Sequence, residues 1–282
     1  MPAFTLLCFV DRLEIEFVSQ VGTCLQKAVS PRGWIVDMRP AAQLTLAGRM
    51  DLIVREAKQL RGKGVAAYAH LQLSLDQAAV FHAQGVPLGY LCSDLEGVDC
   101  VMDDGKEGTQ QAASHLLGLG HRRIAHLMGS AGASEAVERK AGFDKALRVQ
   151  GLVADEALLR HCPQGMAEEG KAWALELLRS PDPPSAIVCS AGDLVASGVY
   201  EAAKELALRI PQDLSIVGYD DLPLASKLDP PLDTIRQPLE EMTRLLVKKL
   251  FAAMDEGESH KPSLELVHPN LVVRQSTAAP RH

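Results

Sequence analysis

The stretch from residue 115 to residue 130, HLLGLGHRRIAHLMGS, joins a predicted helix to a predicted strand. Gly120 suits the end of a helix because glycine adopts the left-handed conformation without strain. Arg122 and Arg123 then place positive charge beside the negative end of that helix. The apolar run up to Met128 follows, as in a buried strand. The stretch therefore predicts a helix that leads directly into a strand of a sheet.

The same alternation of short apolar runs and longer amphipathic runs extends along nearly the whole chain. Predicted strands cover residues 4–10, 34–38, 65–70, 86–91, 99–102, 123–128, 186–189, 214–219, 233–236, 263–268 and 271–274. Predicted helices cover residues 14–29, 46–60, 75–83, 106–119, 135–150, 167–178, 194–206 and 239–254. Such alternation is typical of parallel sheets flanked by helices. Because these units are too many for one compact half of this length, we predict an α/β fold of two similar lobes.

Composition excludes several classes of protein. The 282 residues include 29 Lys and Arg against 36 Asp and Glu, a net charge of −7, which argues against a nucleic-acid-binding surface spread over this chain. The six cysteines are scattered without metal-ligand spacing, a pattern typical of a reducing cytoplasm. No apolar span is long enough for a membrane helix, and the N-terminus does not resemble a signal peptide. We therefore expect a cytoplasmic protein without a membrane partner.

Catalytic motifs are missing from the sequence. It has no GxSxG, no phosphate-binding loop and no GxGxxG after a strand. His115, His121 and His126 share a neighbourhood, but their spacing across a helix end and a strand gives no chelating face. We expect neither an enzyme nor a bound metal or cofactor.

Two adjacent carboxylates, Asp220 and Asp221, follow the predicted strand Leu214–Tyr219. They fit a catalytic pair, a metal site, a ligand clamp or a polar turn. Since successive side chains of a strand point to opposite faces, the two carboxylates should diverge, which disfavours the first two interpretations. The ligand clamp and the polar turn both stay open on the residues alone.

Several segments together resemble the lac-repressor/galactose-repressor family of bacterial transcription regulators. The resemblance covers residues 100 to 277, whereas the first 100 residues match only in pattern. Besides the stretch quoted above, it is carried by RKAGFDKAL (139–147), DLVASG (193–198), RIPQDLSIVGYDDLPLA (209–225), DPPLDTIRQPLEEM (229–242) and LVVRQST (271–277).

This resemblance implies a particular architecture. Family members have two Rossmann-like lobes of the periplasmic-binding-protein-like type I fold, joined by three chain crossings, with an effector bound in the cleft between the lobes. We expect the N-terminal lobe to comprise residues 1–103 plus 237–261, and the C-terminal lobe to comprise residues 104–236 plus 262–282. Ligands of open α/β sheets bind at the carboxyl ends of the strands, which agrees with this expectation.

The resemblance also implies ligand-binding residues. Asp220 matches the family aspartate that accepts hydrogen bonds from the effector, while Asp221 is expected to satisfy local backbone donors. Arg139 matches an arginine that reaches the ligand, the alternative being a surface ion pair with Glu135 or Glu138. A guanidinium group suits this role because it binds two hydroxyls or a carboxylate at once.

Further candidates are less specific. Asp193 is assigned to the ligand site by its motif, and Gln237 fits hydrogen bonding to the ligand or to the linker equally well. In the first strand–helix loop, where the family has Asn-Pro, this chain is more charged. Asp11, Arg12 and Phe17 are candidates for substitute contacts there.

Three positions depart from the family pattern. Gly192 stands where members commonly have a ligand-facing asparagine, and Cys92 where many have aspartate. Near Gly165 an aromatic residue commonly stacks on the effector, which glycine cannot do. These losses weaken the expectation of a typical sugar effector, because buried hydroxyls left unpaired are costly.

The function implied is an effector-binding and dimerisation core of a transcription regulator. A helix such as Leu75–Ala83 offers apolar contact for a homodimer. Operator DNA would be bound only through a helix-turn-helix headpiece, which nothing in this sequence resembles, because Phe4–Val10 already matches the first strand of the core. The alternative function is a solute-binding protein of a transport system.

Overall fold

The computed structural model describes residues 4–10, 16–41, 44–69, 71 and 73–281. The chain divides into two compact units, Met1–Asp103 with Pro238–Val267 and Asp104–Gln237 with His268–His282. It therefore passes from one unit to the other three times. Two α/β units joined by three chain crossings confirm the predicted fold class.

The first unit is built on a parallel sheet of six strands in the order β11-β5-β4-β3-β1-β2. Its core includes a cluster of aromatic rings, in which Phe9 stacks on Tyr68 at 4.9 Å and both rings contact Phe81. The elements are β1 (Thr5–Val10), α1 (Glu16–Val29), β2 (Ile35–Pro40), α2 (Leu46–Leu60), β3 (Gly64–Ala69), α3 (Leu75–Ala83), β4 (Leu88–Leu91), β5 (Asp99–Asp103), α8 (Leu239–Glu256) and β11 (Leu264–Val267).

The second unit has the same design, with strand order β12-β10-β9-β8-β6-β7. All its neighbouring strands are parallel except β12, which runs antiparallel to β10. The elements are α4 (Gly105–Gly118), β6 (Ile124–Met128), α5 (Ser134–Val149), β7 (Leu159–His161), α6 (Ala167–Leu178), β8 (Ala186–Cys189), α7 (Asp193–Glu205), β9 (Ser215–Tyr219), β10 (Asp233–Arg236) and β12 (Asn270–Val272).

The second sheet is covered by apolar side chains on both faces. Along β6, Ile124 and Met128 belong to the cluster on one face, and Ala125 and Leu127 to the cluster on the other. Gly120, which precedes this strand, has φ +105, so the predicted left-handed helix end is confirmed. The opening stretch of the sequence therefore folds as its pattern predicts.

The predicted lobe boundaries need correction at the end of the chain. We predicted a closing pair of strands within residues 262–282 of the C-terminal lobe. Instead, β11 pairs in parallel with β5 of the first unit, and β12 pairs with β10 of the second. Gln237, predicted in the N-terminal lobe, belongs to the second unit. The choice of strand partner is a long-range property that a local pattern does not contain.

A buried hydroxyl in the first unit supports a test of its packing. Among the residues that the structure describes, the Tyr68 hydroxyl is buried without a hydrogen-bond partner, whereas the Tyr90 hydroxyl donates to the Leu71 carbonyl at 3.2 Å. We expect Tyr68→Phe to leave the free energy of unfolding unchanged or raise it slightly, and Tyr90→Phe to lower it by about 1 kcal/mol. Urea unfolding of both variants provides the measurement, and equal losses would contradict the assignment.

Candidate functional site

Three parallel strands of the second unit, β8, β9 and β10, end at one edge of the sheet. The residues that follow them are Ser190, Asp220 and Gln237 respectively. Since open α/β sheets bind ligands beyond the carboxyl ends of their strands, this edge is where a ligand site is expected. We call it the carboxyl edge.

Asp220 and Asp221 leave the strand in an unusual conformation. Their φ angles are +102° and +55°, in the left-handed region that residues other than glycine rarely adopt. Such strain persists only where neighbouring groups hold it, and it is concentrated at functional sites. One of the groups that hold Asp220 is the Gln237 side-chain amide, which donates to Asp220 Oδ1 at 2.6 Å. Gln237 follows β10 and therefore lies at the same carboxyl edge.

Asp221 binds two guanidinium groups. Arg236 Nε donates to its Oδ2 and Arg274 Nη2 to its Oδ1, both at 2.5 Å. The Asp221 side chain is only 9% exposed. The expected partners were local backbone donors, so this expectation is corrected: the partners are charged side chains, one of them 53 residues away. The two aspartates thus have different hydrogen-bond partners.

We therefore expect Asp221→Asn to destabilise the second unit. The change removes the charge that both arginines neutralise, and the expected loss is about 2 kcal/mol, because Arg236 is largely exposed while Arg274 is mostly buried. Thermal unfolding of this variant beside Asp220→Asn gives the comparison. A larger loss of stability for Asp220→Asn would show that Asp220, and not Asp221, is the carboxylate that stabilises the fold.

Asp220 and Asp221 form a turn after β9, which we call the aspartate turn. Asp193 lies beneath this turn and is not exposed to solvent. Its side chain is fully buried, where Oδ2 accepts from the Leu222 backbone amide at 2.8 Å and Oδ1 accepts from the Thr234 hydroxyl at 2.7 Å. Burial, reinforced by the neighbouring Asp220 carboxylate, raises the pKa of Asp193 well above its usual value. An added Cβ on Gly218 would lie 2.2 Å from Asp193 Oδ1, so glycine is needed there. This geometry supports the turn; ligand contact by Asp193 stays a prediction.

Arg139, on α5, is held over β9. Its guanidinium carbon lies 3.8 Å from the centre of the Tyr219 ring, and Nη1 donates to the Ser190 carbonyl at 2.7 Å. Gly105 gives its side chain room, since a Cβ at that position would lie 3.0 Å from Arg139 Cγ. Tyr219 directly precedes Asp220, so Arg139 packs on the residue next to this carboxylate in the chain.

A buried histidine, His126, contacts Ser190 at the carboxyl edge. His126 Nε2 lies 2.7 Å from the Ser190 hydroxyl, and its ring stacks on Phe143. Burial lowers the pKa of His126 to about 3, so the ring is neutral near pH 7. Residues Ser190, His126 and Tyr219 were not predicted from the sequence as site residues. For Tyr219, its position at the end of a predicted strand, directly before Asp220, was an available signal.

The departures from the family pattern have a backbone explanation. Gly192, Gly165 and Cys92 have φ +123°, +63° and +65°. At Gly192, an added Cβ would also lie 2.9 Å from Asp220 Oδ2. Two of the three departures are therefore glycines where the backbone favours glycine, and they do not in themselves indicate a degenerated site.

Two candidates belong to the first unit. Phe17 is on α1 and is 5% exposed, so its ring is largely packed into protein. Asp11 and Arg12 lie outside the described residues. Ligand contact by these three residues stays a prediction.

The groups at the carboxyl edge are suited to hydrogen bonding. Arg139 offers donors and Asp220 offers acceptors, which together suit a small ligand with hydroxyl or amine groups. Over the ranges that the structure describes, no three His, Cys, Asp or Glu side chains are grouped to hold a metal ion. Within those ranges, too, no helix combines the length and the apolar character that a membrane crossing requires.

Comparison with known proteins finds a matching domain family and several relatives. Residues 113–277 match the periplasmic binding protein-like domain family. The repressor PurR of Erwinia tasmaniensis is 35% identical over 182 residues, 64% of this chain and 52% of that protein. The regulator CelR of Thermobifida fusca is 34% identical over 208 residues, 72% of this chain and 58% of that protein.

The likeness extends to solved structures. A complex of the transcriptional regulator CelR with cellobiose superposes with a TM-score of 0.86 and 26% identity, covering 98% of this chain and 86% of that one. The chain spans between about half and three fifths of the length of the two curated relatives. Both relatives are transcription regulators rather than enzymes or transport proteins.

Proposed function

Because this chain belongs to the periplasmic binding protein-like family, in its branch of lac-repressor-type regulators, we propose that it is the effector-binding core of a bacterial transcription regulator. Its task is to bind a small polar molecule and to change the DNA binding of the regulator in response. No chemical conversion of the ligand is part of this proposal. A transport function has no support among the relatives named above.

One observation carries this proposal: Asp220 and the Tyr219 ring that holds Arg139 are consecutive residues at the end of β9. A carboxylate acceptor and a guanidinium donor that both lie at the end of one strand suit a ligand with hydroxyl or amine groups. The Ser190 carbonyl holds the Arg139 guanidinium, and Asp193 and Asp221 anchor the chain around Asp220, so part of the site is set before the ligand arrives. Preorganisation lowers the entropic cost of binding.

The class of ligand that fits best is a small hydroxylated molecule. The CelR structure was solved with cellobiose, a molecule that presents adjacent hydroxyl groups. Gly192 keeps a side chain away from Asp220, since an added Cβ there would lie 2.9 Å from Asp220 Oδ2. Sugars and sugar acids therefore come first in a search, and nucleobases come second because PurR is among the relatives.

A thermal-shift screen tests the proposal. Ligand at about one hundred times its dissociation constant adds about 2.7 kcal/mol of stability, which raises the melting temperature by several degrees. Each compound that stabilises the wild-type chain is then tested on the double variant Asp220→Asn/Arg139→Ala. The proposal requires a shift that the double variant loses; no shift across sugars, sugar acids and nucleobases would contradict it.

We also propose that the chain forms a homodimer and that DNA reading lies outside these residues. The net charge of −7 disfavours contact with phosphates, so this chain alone should not retard operator DNA specifically. On α3, Leu75 is 61% exposed and offers apolar contact to a second copy. Sedimentation equilibrium at micromolar concentration should give about twice the chain mass of 30.4 kDa. A mass of one chain would contradict the dimer.

A further inference from the structure

A cluster of charged side chains lies where two neighbouring strands of the first unit begin. Strands β5 and β11 pair in parallel, and their last residues, Asp103 and Val267, each come directly before a passage of the chain into the second unit. Asp99 is the first residue of β5, and His260 lies in the short segment between α8 and β11. A contact between Asp99 and His260 therefore joins the starts of two strands that lead to two of the three passages.

Both ring nitrogens of His260 face a carboxylate. Nε2 lies 2.6 Å from Asp99 Oδ2 on β5, and Nδ1 lies 3.0 Å from Glu256 Oε2 at the end of α8. A carboxylate only accepts hydrogen bonds, and a neutral imidazole has a single N–H group. The ring therefore donates to both carboxylates at once only when it carries an additional proton.

The Asp99 carboxylate depends on this donor because it is buried. Its side chain is 3% exposed, and its Oδ1 accepts from the Ser263 backbone amide at 3.1 Å and lies 3.8 Å from the Lys249 ammonium group. Lys249 also lies 3.8 Å from a carboxylate oxygen of β11, so its charge is shared. The charged groups of β5, α8, β11 and the segment before β11 that meet here are Asp99, Glu256, Lys249, Glu265 and His260. Three carboxylates thus face two cations when His260 is protonated and one cation when it is neutral.

We propose that His260 is a pH-sensitive switch that fastens the end of α8 and the start of β11 to β5 when its ring is protonated. When the ring loses a proton, the remaining N–H stays with Asp99, because a buried carboxylate without its donor is costly, whereas Glu256 is 54% exposed and can turn to solvent. The bond to Glu256 is then lost, and the last turn of α8 and the segment 257–263 loosen. The proton thereby acts on the strands that lead to two passages of the chain, and the switch needs no ligand.

The direction of the pH effect follows from the surroundings of the ring. Burial alone would lower the pKa of His260, but the hydrogen bonds to Asp99 and Glu256 outweigh it, so this pKa is raised above its ordinary value. In the unfolded chain the pKa has the ordinary value of about 6.5. The stabilisation that the switch contributes is therefore complete below that pH and is lost as the pH rises through the higher pKa of the folded state. Slightly acidic conditions close the contact, and alkaline conditions open it.

Hydrogen exchange of the β11 amides tests the switch. After correction for intrinsic exchange rates, the protection of residues 264–267 in the wild type should fall at least about threefold between about pH 6 and about pH 9. His260→Gln should have the lower protection at both pH values, because a glutamine amide donates to Asp99 but carries no proton that titrates. His82→Gln, a change at an exposed histidine of α3, is the control and should behave as the wild type does. Equal wild-type protection at both pH values, or the wild-type fall in His260→Gln, would overturn the proposal.

A second variant separates the switch from a packing defect. In Glu256→Gln, the new amide donates to the neutral Nδ1 while Nε2–H donates to Asp99, so both bonds form without the additional proton. The protection of residues 264–267 at about pH 9 should therefore return to the level of the wild type at about pH 6. Proton NMR of the His260 ring gives an independent measurement: its titration midpoint should lie above about 6.5 in the wild type and should fall in Glu256→Gln. A Glu256→Gln protein that keeps the wild-type fall in protection, or a wild-type midpoint at or below about 6.5, would overturn the proposal.

Discussion

Gly198→Ala should be among the most destabilising single substitutions in the second unit. Helices α6 and α7 touch through backbone atoms, and an added Cβ on Gly198 would lie 1.8 Å from the Ala167 carbonyl oxygen. No side chain can move aside to relieve this overlap, because the obstacle is the neighbouring main chain. Separating the two helices would open the apolar cluster beneath them. The expected loss is about 3 kcal/mol or more, a fall of roughly 6–12 °C in melting temperature.

A matched control exists on α4. Gly118 is also helical, but nothing lies within 4 Å of its added Cβ. Gly118→Ala should therefore raise stability by about 0.5–1 kcal/mol through helix propensity. Differential scanning calorimetry of both variants measures the contrast. A Gly198→Ala protein as stable as wild type would show that the two helices are not in backbone contact.

Loss of ligand binding in Arg139→Ala is the second large effect that we expect. The guanidinium is fixed over Tyr219 and tied to Ser190, so it is ready to donate hydrogen bonds to a ligand. Each charge-assisted bond lost should cost about 1.5–3 kcal/mol, or roughly ten- to hundredfold in affinity. Arg148→Ala, at the exposed end of the same helix, serves as the control and should bind as wild type does. Competition binding with the first ligand found in the screen gives both values.

Much of the fold could be predicted because its signals are local. The alternation of strands and helices, the helix end at Gly120 and the class of two α/β units follow from spacing and turn chemistry. The different pairing partners of β11 and β12 could not be predicted, because both strands are short and their local apolar patterns are similar. The strand Leu159–His161 was missed because its three residues carry no apolar period.

Some features of the candidate site could be predicted from the sequence and others could not. The sequence motifs predict Asp220 and Arg139 as ligand groups, and the structure shows that Arg139 packs on the ring of Tyr219, the residue before Asp220. Ligand contact by both residues stays a prediction. The partners of Asp221 were missed, because Arg274 comes from a distant segment and no local pattern links it to β9. The buried position of Asp193 was also missed, since it depends on the space left by Gly218 on the neighbouring strand. Contacts between distant segments are properties of the tertiary fold.

Calorimetric titration of Asp220→Asn tests the central claim most directly. The substitution keeps the shape of the side chain and an oxygen that accepts from Gln237, while it removes the charge offered to the ligand. We expect the screened ligand to bind the wild type and Asp221→Asn with similar affinity, and Asp220→Asn about ten- to hundredfold more weakly. Wild-type affinity in Asp220→Asn would contradict a ligand site at the carboxyl edge of the second sheet.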